Sequence, residues 1–202
     1  ILITSDGASF TASSAAQAVS LQFATFEQPG TLAGLGQLVV NELLVDPLAT
    51  SDAFGEWFEL MNVSAQTLNL GGLRIESGAQ NFTLRSQALV PPGERFVVGV
   101  DGRLSRNGNV FPGVNAPWQS FALANGSGSL TLRAAGGQVI ETVTWGGSGI
   151  SVTPGVSAER KQPTSAPLAS NFADALTAWA GADKGTPWAP NDNQEGACPT
   201  PI

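Results

Sequence analysis

The chain has no histidine and no tyrosine, and cysteine and methionine each occur once among its 202 residues. Without histidine and with a single thiol, it cannot build a Ser-His-Asp triad, a histidine-ligated metal site or a cysteine-cluster metal site. Lysine and arginine together number 9 against 16 acids, for a net charge of −7. Because nucleic acids and anionic membranes both attract basic surfaces, neither is an expected partner.

Long apolar runs are also missing from the sequence. No stretch approaches the roughly 18 apolar residues that cross a bilayer, which argues against membrane insertion. The chain starts at Ile1 without a basic and then apolar leader, so it is expected to be a processed product or a fragment. Scarce cysteine and lysine, with abundant small and polar residues, favour an extracellular or cell-surface protein that does not depend on disulfides.

The first 36 residues form an unusually uncharged segment. We call residues 1–29 the arm and residues 30–36 its linker. They contain no lysine or arginine, and their only acids are Asp6 and Glu27. Residues 1–4 are a β-branched run that predicts a strand. Residues 8–18 are rich in alanine and serine, which predicts a loop or a weak helix.

The second half of the arm carries the period-2 pattern of a strand with one apolar face. Its apolar anchors are Val19, Leu21, Phe23 and Phe26. Such an arm can pair with the edge of its own domain or complete the sheet of a neighbouring subunit. The second alternative, which the lack of charged gatekeepers keeps open, predicts a homo-oligomer or a polymer.

Residues 37–191 show the all-β pattern of short apolar runs separated by turns rich in Gly, Pro and Asn. The predicted strands are residues 38–44, 57–62, 73–76, 82–85, 95–100, 120–124, 130–133, 139–145 and 157–160. So many short strands around one core predict a sandwich or a barrel.

The C-terminal part is rich in proline and alanine and is expected to be mostly irregular. Residues 171–181 are the only piece there that predicts a short helix, and residues 192–202 form a tail. Cys198 lies in that tail and has no second cysteine to bond. It is a free thiol, half of a truncated pair, or an intermolecular disulfide.

Several motifs follow one another in a set order along the main domain. They are LVVNELLVDP at 38–47, GEWFELMN at 55–62, LNLGGLRI at 68–75, LVPPGERFVV at 89–98, GSLTL at 128–132, GGQVIETVTW at 136–145, SAER at 157–160 and GTPWAPN at 185–191. Their order resembles the bacterial branch of the lamin tail domain family over about residues 38–191. Leu73 and Trp188 depart from it, since the family usually has Trp and often has Gly there.

The resemblance implies an immunoglobulin-like β-sandwich without catalytic machinery of its own. It also implies a binding or structural module of the kind attached to secreted hydrolases or surface proteins in bacteria. Fold similarity by itself leaves the particular role open.

An acidic stretch suggests one cation site. Asp46, Asp52 and Glu56 lie close together in sequence with no basic residue before Arg74, and calcium is the metal that such oxygen ligands would hold. The simpler interpretation leaves these acids in solvent or bonded to loop amides, since their spacing matches no dedicated calcium loop. No other cofactor is predicted.

Two tryptophans lie in proline-containing loops, at Trp118 and Trp188. An exposed indole there can stack on a surface glycan or on a partner protein, or it can plug an open end of the sandwich. Glu42 and Glu59 could form a hydrolytic carboxylate pair if they face each other across a groove, but structural pairing with Arg74 or with backbone groups is the simpler interpretation.

These observations together predict a non-enzymatic, secreted or cell-surface structural protein, an immunoglobulin-like sandwich whose arm joins copies into an extracellular fibre. The alternative is a binding or targeting module of a larger secreted bacterial protein. A carboxylate hydrolase is the third hypothesis.

Overall fold

The computed structural model describes residues 2–5, 10–14, 17–21, 30–85, 88–110, 116–117, 121–180 and 183–195. Nearly all of its regular structure is β. The strands are β1 Leu2–Ser5, β2 Phe10–Ser14, β3 Gln17–Leu21, β4 Thr31–Leu32, β5 Leu38–Leu44, β6 Trp57–Asn62, β7 Leu68–Asn69, β8 Arg74–Ser77, β9 Gln80–Thr83, β10 Leu89–Val90, β11 Arg95–Gly99, β12 Ala116–Pro117, β13 Gly128–Arg133, β14 Val139–Trp145, β15 Ala158–Arg160, β16 Phe172–Asp174, β17 Ala178–Ala180 and β18 Asp183–Lys184. A one-turn helix α1 spans Asp52–Gly55, and a 3-10 turn spans Ala169–Asn171.

Two sheets face each other across the core. One is six-stranded in the order β12-β11-β6-β5-β15-β16, and the other is four-stranded in the order β14-β13-β8-β9. A small sheet β10-β7-β4 flanks them, and β17 pairs with β18. The all-β sandwich predicted from the sequence is therefore confirmed.

The core between the sheets is apolar because alternate residues of each strand point inward. The six-stranded sheet contributes Leu38, Val40, Leu43, Phe58, Leu60, Phe96 and Val98, and the four-stranded sheet contributes Ile75, Leu130, Leu132, Val143 and Trp145. All of these side chains are buried. Deep burial of large apolar groups is the main stabilising contribution to such a fold.

Strand β5 is unusual because it is buried at every one of its 7 positions. A strand with one solvated face alternates between buried and exposed residues, so both faces of β5 must be covered. Its register with β6 shifts between Val40 and Glu42, which leaves Asn41 as a bulge. The inner face packs on the core, and the outer face lies under the C-terminal part of the chain.

Two predictions in the main domain were wrong because the backbone hydrogen bonds of these segments have partners that are distant in sequence. The predicted strand at 120–124 has no strand partner within the described residues 121–124: the N–H of Leu123 donates to Glu56 Oε2 at 2.8 Å and that of Ala122 to Gln80 Oε1 at 2.8 Å. Side-chain oxygens accept the backbone hydrogen bonds that a neighbouring strand would otherwise accept. The predicted helix at 171–181 is instead strand β16 at the sheet edge, with Phe172 buried in the core.

The N-terminal strands pair locally. Within the described residues, β1, β2 and β3 form their own antiparallel meander, and none of them pairs with a strand of the sandwich. The interpretation of residues 8–18 as a loop or weak helix was wrong, because β2 occupies Phe10–Ser14. Short connections make local hairpins cheaper in loop entropy than pairing with a distant edge.

The predicted linker also contributes to the sandwich. Strand β4 pairs in parallel with β7, and Ala33 is buried in the core. Among the described residues, no helix is long and apolar enough to cross a membrane.

Candidate functional site

The outer face of the six-stranded sheet carries three buried glutamates, Glu42 on β5, Glu59 on β6 and Glu159 on β15. They are neighbours across the sheet, since Glu42 is the register partner of both Glu59 and Glu159. We call these three residues the carboxylate cluster. Residues 183–195, which we call the C-terminal strap, supply many of the donors that hold it.

Glu42 lies at the centre of the cluster. Its Oε1 accepts hydrogen bonds from the Ser157 hydroxyl at 2.5 Å and from the Thr186 backbone N–H at 2.8 Å, and its Oε2 lies 3.3 Å from Thr186 Oγ1. Oε1 therefore accepts two hydrogen bonds from the chain itself, whereas Oε2 has the longer contact to the Thr186 hydroxyl.

Glu59 is bonded from three directions. Asn41 Nδ2, on the bulge, donates to its Oε1 at 2.8 Å, and the Trp188 backbone N–H donates to its Oε2 at 2.6 Å. Arg95 Nε lies 3.3 Å from Oε1, with the arginine side chain 12% exposed. Trp188 adopts a φ of 70°, so the strap bends sharply where its N–H reaches the carboxylate.

Glu159 fastens the end of the strap. Thr186 Oγ1 donates to its Oε1 at 2.8 Å and so lies between Glu42 and Glu159. Asn193 donates to Oε2 from its backbone N–H at 3.3 Å and from Nδ2 at 3.1 Å. The same Nδ2 reaches the Asp174 carbonyl at 2.9 Å, which ties the strap to β16.

Asn191 joins the strap directly to strand backbone. Its Nδ2 donates to the carbonyls of Asn41 at 3.1 Å and Arg160 at 2.9 Å, and its Oδ1 accepts from Asn41 Nδ2 at 2.8 Å. The bulge thus exposes backbone groups that a regular strand pair would use, and the strap satisfies them.

Burial governs the electrostatics of the cluster. Burial, reinforced by the neighbouring Glu59 charge, holds the pKa of Glu42 well above its ordinary value. Burial also raises the pKa of Glu59 to about 7, against the lowering effect of its hydrogen bonds and of Arg95. The pKa of Glu159 is raised, again chiefly by burial. Protons shared within the cluster relieve the repulsion between its carboxylates.

This arrangement is better suited to holding the strap against the sheet than to hydrolysis. Glu42 and Glu59 do lie on adjacent strands as the sequence predicted, but both are fully buried and accept hydrogen bonds from other residues of the chain. A glycosidase needs its two carboxylates on the walls of an open groove, with room for substrate and water. Arg74, considered as a structural partner for this pair, instead bonds Glu76.

A second buried charge pair, Arg160 and Glu141, connects the two sheets at the edge of the core. Arg160 on β15 donates from Nη1 to Glu141 Oε1 on β14 at 2.9 Å and to the Val40 carbonyl at 3.0 Å. Glu141 Oε2 in turn accepts the Val40 N–H at 2.6 Å. The pair bridges the two sheets at Val40, which pairs with Leu60 on β6 but lies beyond the residues of β5 that pair with β15.

The three acids of the predicted calcium site lie near one another. Asp46 and Asp52 both raise the pKa of Glu56, after the larger effect of burial, to about 8. Glu56 accepts the Leu123 N–H, and Asp52 accepts Asn125 Nδ2 at 3.0 Å. Across the described ranges, no group of three or more acids or thiols is arranged to hold a metal ion. The calcium site stays a prediction.

Trp188 is half-buried against a small outer-face cluster of Leu44, Trp57, Val97 and Val110. This contact matches the packing role, which the sequence predicted as the alternative to stacking on a ligand. Trp118 lies outside the described residues.

The remaining predicted residues lie at the chain ends. Val19 and Leu21 are on strand β3 of the meander. Phe23, Phe26 and Cys198 lie outside the described residues. The intermolecular roles of the arm and of the thiol stay predictions.

The sequence alone did not predict that the strap covers the carboxylate cluster or that Trp179 lines a groove. Thr186 and Asn191 belong to the GTPWAPN motif, and Glu159 to the SAER motif, so the motifs were noticed without their spatial relation. Trp179 contacts Trp57 edge-on with ring centroids 5.5 Å apart, and it also lines a surface groove of about 430 Å³.

Comparison with known proteins supports the resemblance. A family model described as Lamin Tail Domain matches residues 32–147, more than half of the 202-residue chain. The match begins at β4 and ends just after β14, so it covers most of both sheets but not the strap. A search of curated proteins finds no match to the chain.

Proposed function

Because the chain belongs to the lamin tail domain family, we propose that it is a non-enzymatic structural protein of the cell surface or extracellular space, whose N-terminal arm joins copies by strand addition. The family's domain is an immunoglobulin-like, non-catalytic type of fold, compatible with a structural or binding module. The assembly role, the location and a bacterial source are the proposal.

One observation carries the proposal, which is the open edge of β14. Strand β14 is 7 residues long and ends the four-stranded sheet. Within the described residues an isolated bridge between Trp145 and Ile150 covers the end of its outer edge, and no strand pairs with the rest of that edge. Natural edges are guarded by lysine, proline or a covering segment. Strand β14 has neither of those residues, and its one acid, Glu141, points inward to Arg160.

The outer edge offers backbone groups for a new strand. The Thr144 carbonyl accepts Ile150 N–H at 2.8 Å on the side away from β13. Thr142 lies two residues earlier, so its N–H and C=O point the same way. An incoming strand can therefore form a ladder along the first part of β14.

The arm has the properties of a donor strand. Its strands are 4 or 5 residues long and, as far as the structure describes them, pair only among themselves. A small sheet of such short strands is marginally stable, so its strands can be exchanged into a longer ladder. The described buried residues of the core begin at Ala33, and the described strands of the sandwich pair without β1, β2 or β3. Head-to-tail donation that does not close into a ring builds a fibre.

Light scattering and negative-stain microscopy test the proposal on the full chain, on a chain starting at Gly30, and on two edge variants. Thr142→Pro removes the outward N–H of β14, while the matched control Thr142→Val keeps it. We expect polymers from the full chain and from Thr142→Val, and monomers from the truncated chain and from Thr142→Pro. Monomers throughout, or polymers that survive both the truncation and Thr142→Pro, would overturn it.

A second pair of variants examines the arm side chains. Leu21→Asp with Phe23→Asp places charge on the apolar face of the arm, while Ser20→Asp with Gln22→Asp places equal charge on its polar face. We expect only the first pair to abolish assembly, with circular dichroism unchanged for both.

A further inference from the structure

A groove on the outer surface, separate from the β14 edge, has the chemistry of a sugar-binding site. It has a volume of about 430 Å³ and is lined by residues of two loops and by Trp179 of β17; the lining used below is Thr50, Ser105, Arg106, Gly108, Asn109 and Trp179. This volume is in the range of about 300–1,000 Å³ that small-molecule sites occupy. We propose that the groove binds the end of a neutral oligosaccharide, with a pyranose ring stacked on Trp179.

Trp179 is held rigidly in place. Its indole Nε1 donates to the Gly108 carbonyl at 3.1 Å, and its ring contacts Trp57 edge-on at an interplanar angle of 67°. Gly185 lies so close that an added Cβ would come within 2.5 Å of the ring. The side chain is nonetheless only half-buried. A fixed, partly exposed indole stacks on a ligand at little cost in conformational entropy.

The groove is also lined by polar residues. Ser105 and Asn109 are exposed, and Asn109 has a φ of 63°, a left-handed conformation rare for a non-glycine residue. Thr50 Oγ1 donates to the Arg106 carbonyl at 2.9 Å and so fixes the loop that carries both. An amide and a hydroxyl that line the same groove as an indole supply the hydrogen bonds that vicinal sugar hydroxyls need.

Charge favours a neutral ligand over an anionic one. Among the described residues that line the groove, Arg106 is the only cation, and its guanidinium lies 3.8 Å above the Phe54 ring and 3.8 Å from Asp101 Oδ2. Asp101 also binds Arg103, and the whole chain has a net charge of −7. Little unpaired positive charge is left for a carboxylate or sulfate group, so hydroxyl recognition and stacking would dominate.

Isothermal titration and tryptophan fluorescence test the site with a panel of soluble tetrasaccharides. The neutral members are built from glucose, mannose, galactose and N-acetylglucosamine, and tetragalacturonate is the anionic member. We expect at least one neutral member to bind with a Kd of about 0.1–1 mM, with little change between low and high salt. No binding by any neutral member at about 10 mM, or binding by tetragalacturonate alone, would overturn the proposal.

Variants connect the binding to the groove. Trp179→Ala should weaken it at least about tenfold, and Trp179→Phe by less, because a ring face remains. Asn109→Gly deletes the side-chain amide at a position with a left-handed backbone conformation, which glycine adopts without strain. It should therefore weaken binding without unfolding the protein. Asn125→Gly, an exposed loop asparagine outside the groove, is the matched control. Unchanged affinity in both Trp179→Ala and Asn109→Gly would refute the assignment.

The outcome is independent of assembly. Thr142→Pro, which should block polymers, leaves the groove untouched and should keep its sugar affinity. Binding by monomers therefore supports the groove even where the strand-addition proposal fails.

Discussion

At its central strands β5 and β6, the six-stranded sheet is buried on both faces, but by opposite means. The inner face packs apolar residues such as Phe58 and Val98 against a second sheet. The outer face has only a small apolar cluster around Trp57 and carries Glu42, Glu59 and Glu159 beneath the strap. The difference shows that a sheet face can be covered either by another sheet or by irregular chain, provided that its polar groups find donors.

The two kinds of burial differ in what they specify. Apolar packing is non-directional and tolerates repacking, whereas a buried carboxylate requires donors at set positions. The strap therefore has one well-defined path, set by Thr186, Trp188, Asn191 and Asn193.

The largest expected effect is on the inner face. Phe58→Ala removes a fully buried ring between the sheets, and we expect it to lower the free energy of unfolding by about 4–5 kcal/mol. Urea denaturation followed by tryptophan fluorescence measures this. A loss below about 1 kcal/mol would mean that the inner face is not closely packed.

Next comes the charge pair that bridges the sheets. Arg160→Met leaves Glu141 buried without its cation, and we expect a loss of about 3–4 kcal/mol in the free energy of unfolding. Adding Glu141→Gln removes the stranded charge and should recover part of that loss. A double mutant cycle by denaturation checks this, and additive losses would contradict the predicted coupling.

The outer face should make stability depend on pH. The pKa of Glu59 is raised from its ordinary 4.5 to about 7 in the folded protein. Below about pH 4.5 the carboxyl is protonated in both states; above it the unfolded chain releases the proton first, so the free energy of unfolding falls until about pH 7. We expect a fall of about 2–3 kcal/mol from this residue.

Glu59→Gln tests that contribution together with the part of the Glu42 pKa shift that the Glu59 charge causes. The amide nitrogen cannot accept a hydrogen bond, so the variant should be less stable at pH 5. It should nevertheless lose less stability than the parent protein between pH 5 and pH 8. Glu56, whose pKa is raised to about 8, acts in the same direction and remains in both proteins. Equal slopes in urea titrations at several pH values would contradict the assignment.

The smallest effect is expected at the exposed end of the strap. Asn193→Ala removes the side-chain hydrogen bonds to Glu159 and to the Asp174 carbonyl but leaves the backbone N–H bond. We expect about 1 kcal/mol from thermal denaturation. The matched change Asn171→Ala, at an exposed turn away from the cluster, should cost a similar amount but leave the pH dependence unchanged.

The strands of the sandwich were predictable because their signals are local. Alternating apolar residues and Gly- and Pro-containing turns mark β5, β6, β13 and β14 closely, and the motifs identify the family. The predictions failed where long-range partners override local pattern. Residues 121–124 have a strand-like sequence, yet Glu56 and Gln80 take their backbone bonds, and β16 joins a sheet edge because Phe172 fills the core.

The site was predictable only in part. Placing Glu42 opposite Glu59 follows from the pairing of neighbouring strands. That Thr186, 144 residues from Glu42, would close over it follows from no local pattern.

By itself, the sequence determined the all-β class, the order of the main strands, the lamin tail domain family and the exclusion of histidine- and cysteine-based chemistry. The tertiary structure decided which face of the sheet is apolar, that the glutamates are covered, and that Trp179 borders a groove. Strand formation depends on neighbours a few residues away, whereas burial and hydrogen bonding of a carboxylate depend on whichever distant segment folds against it.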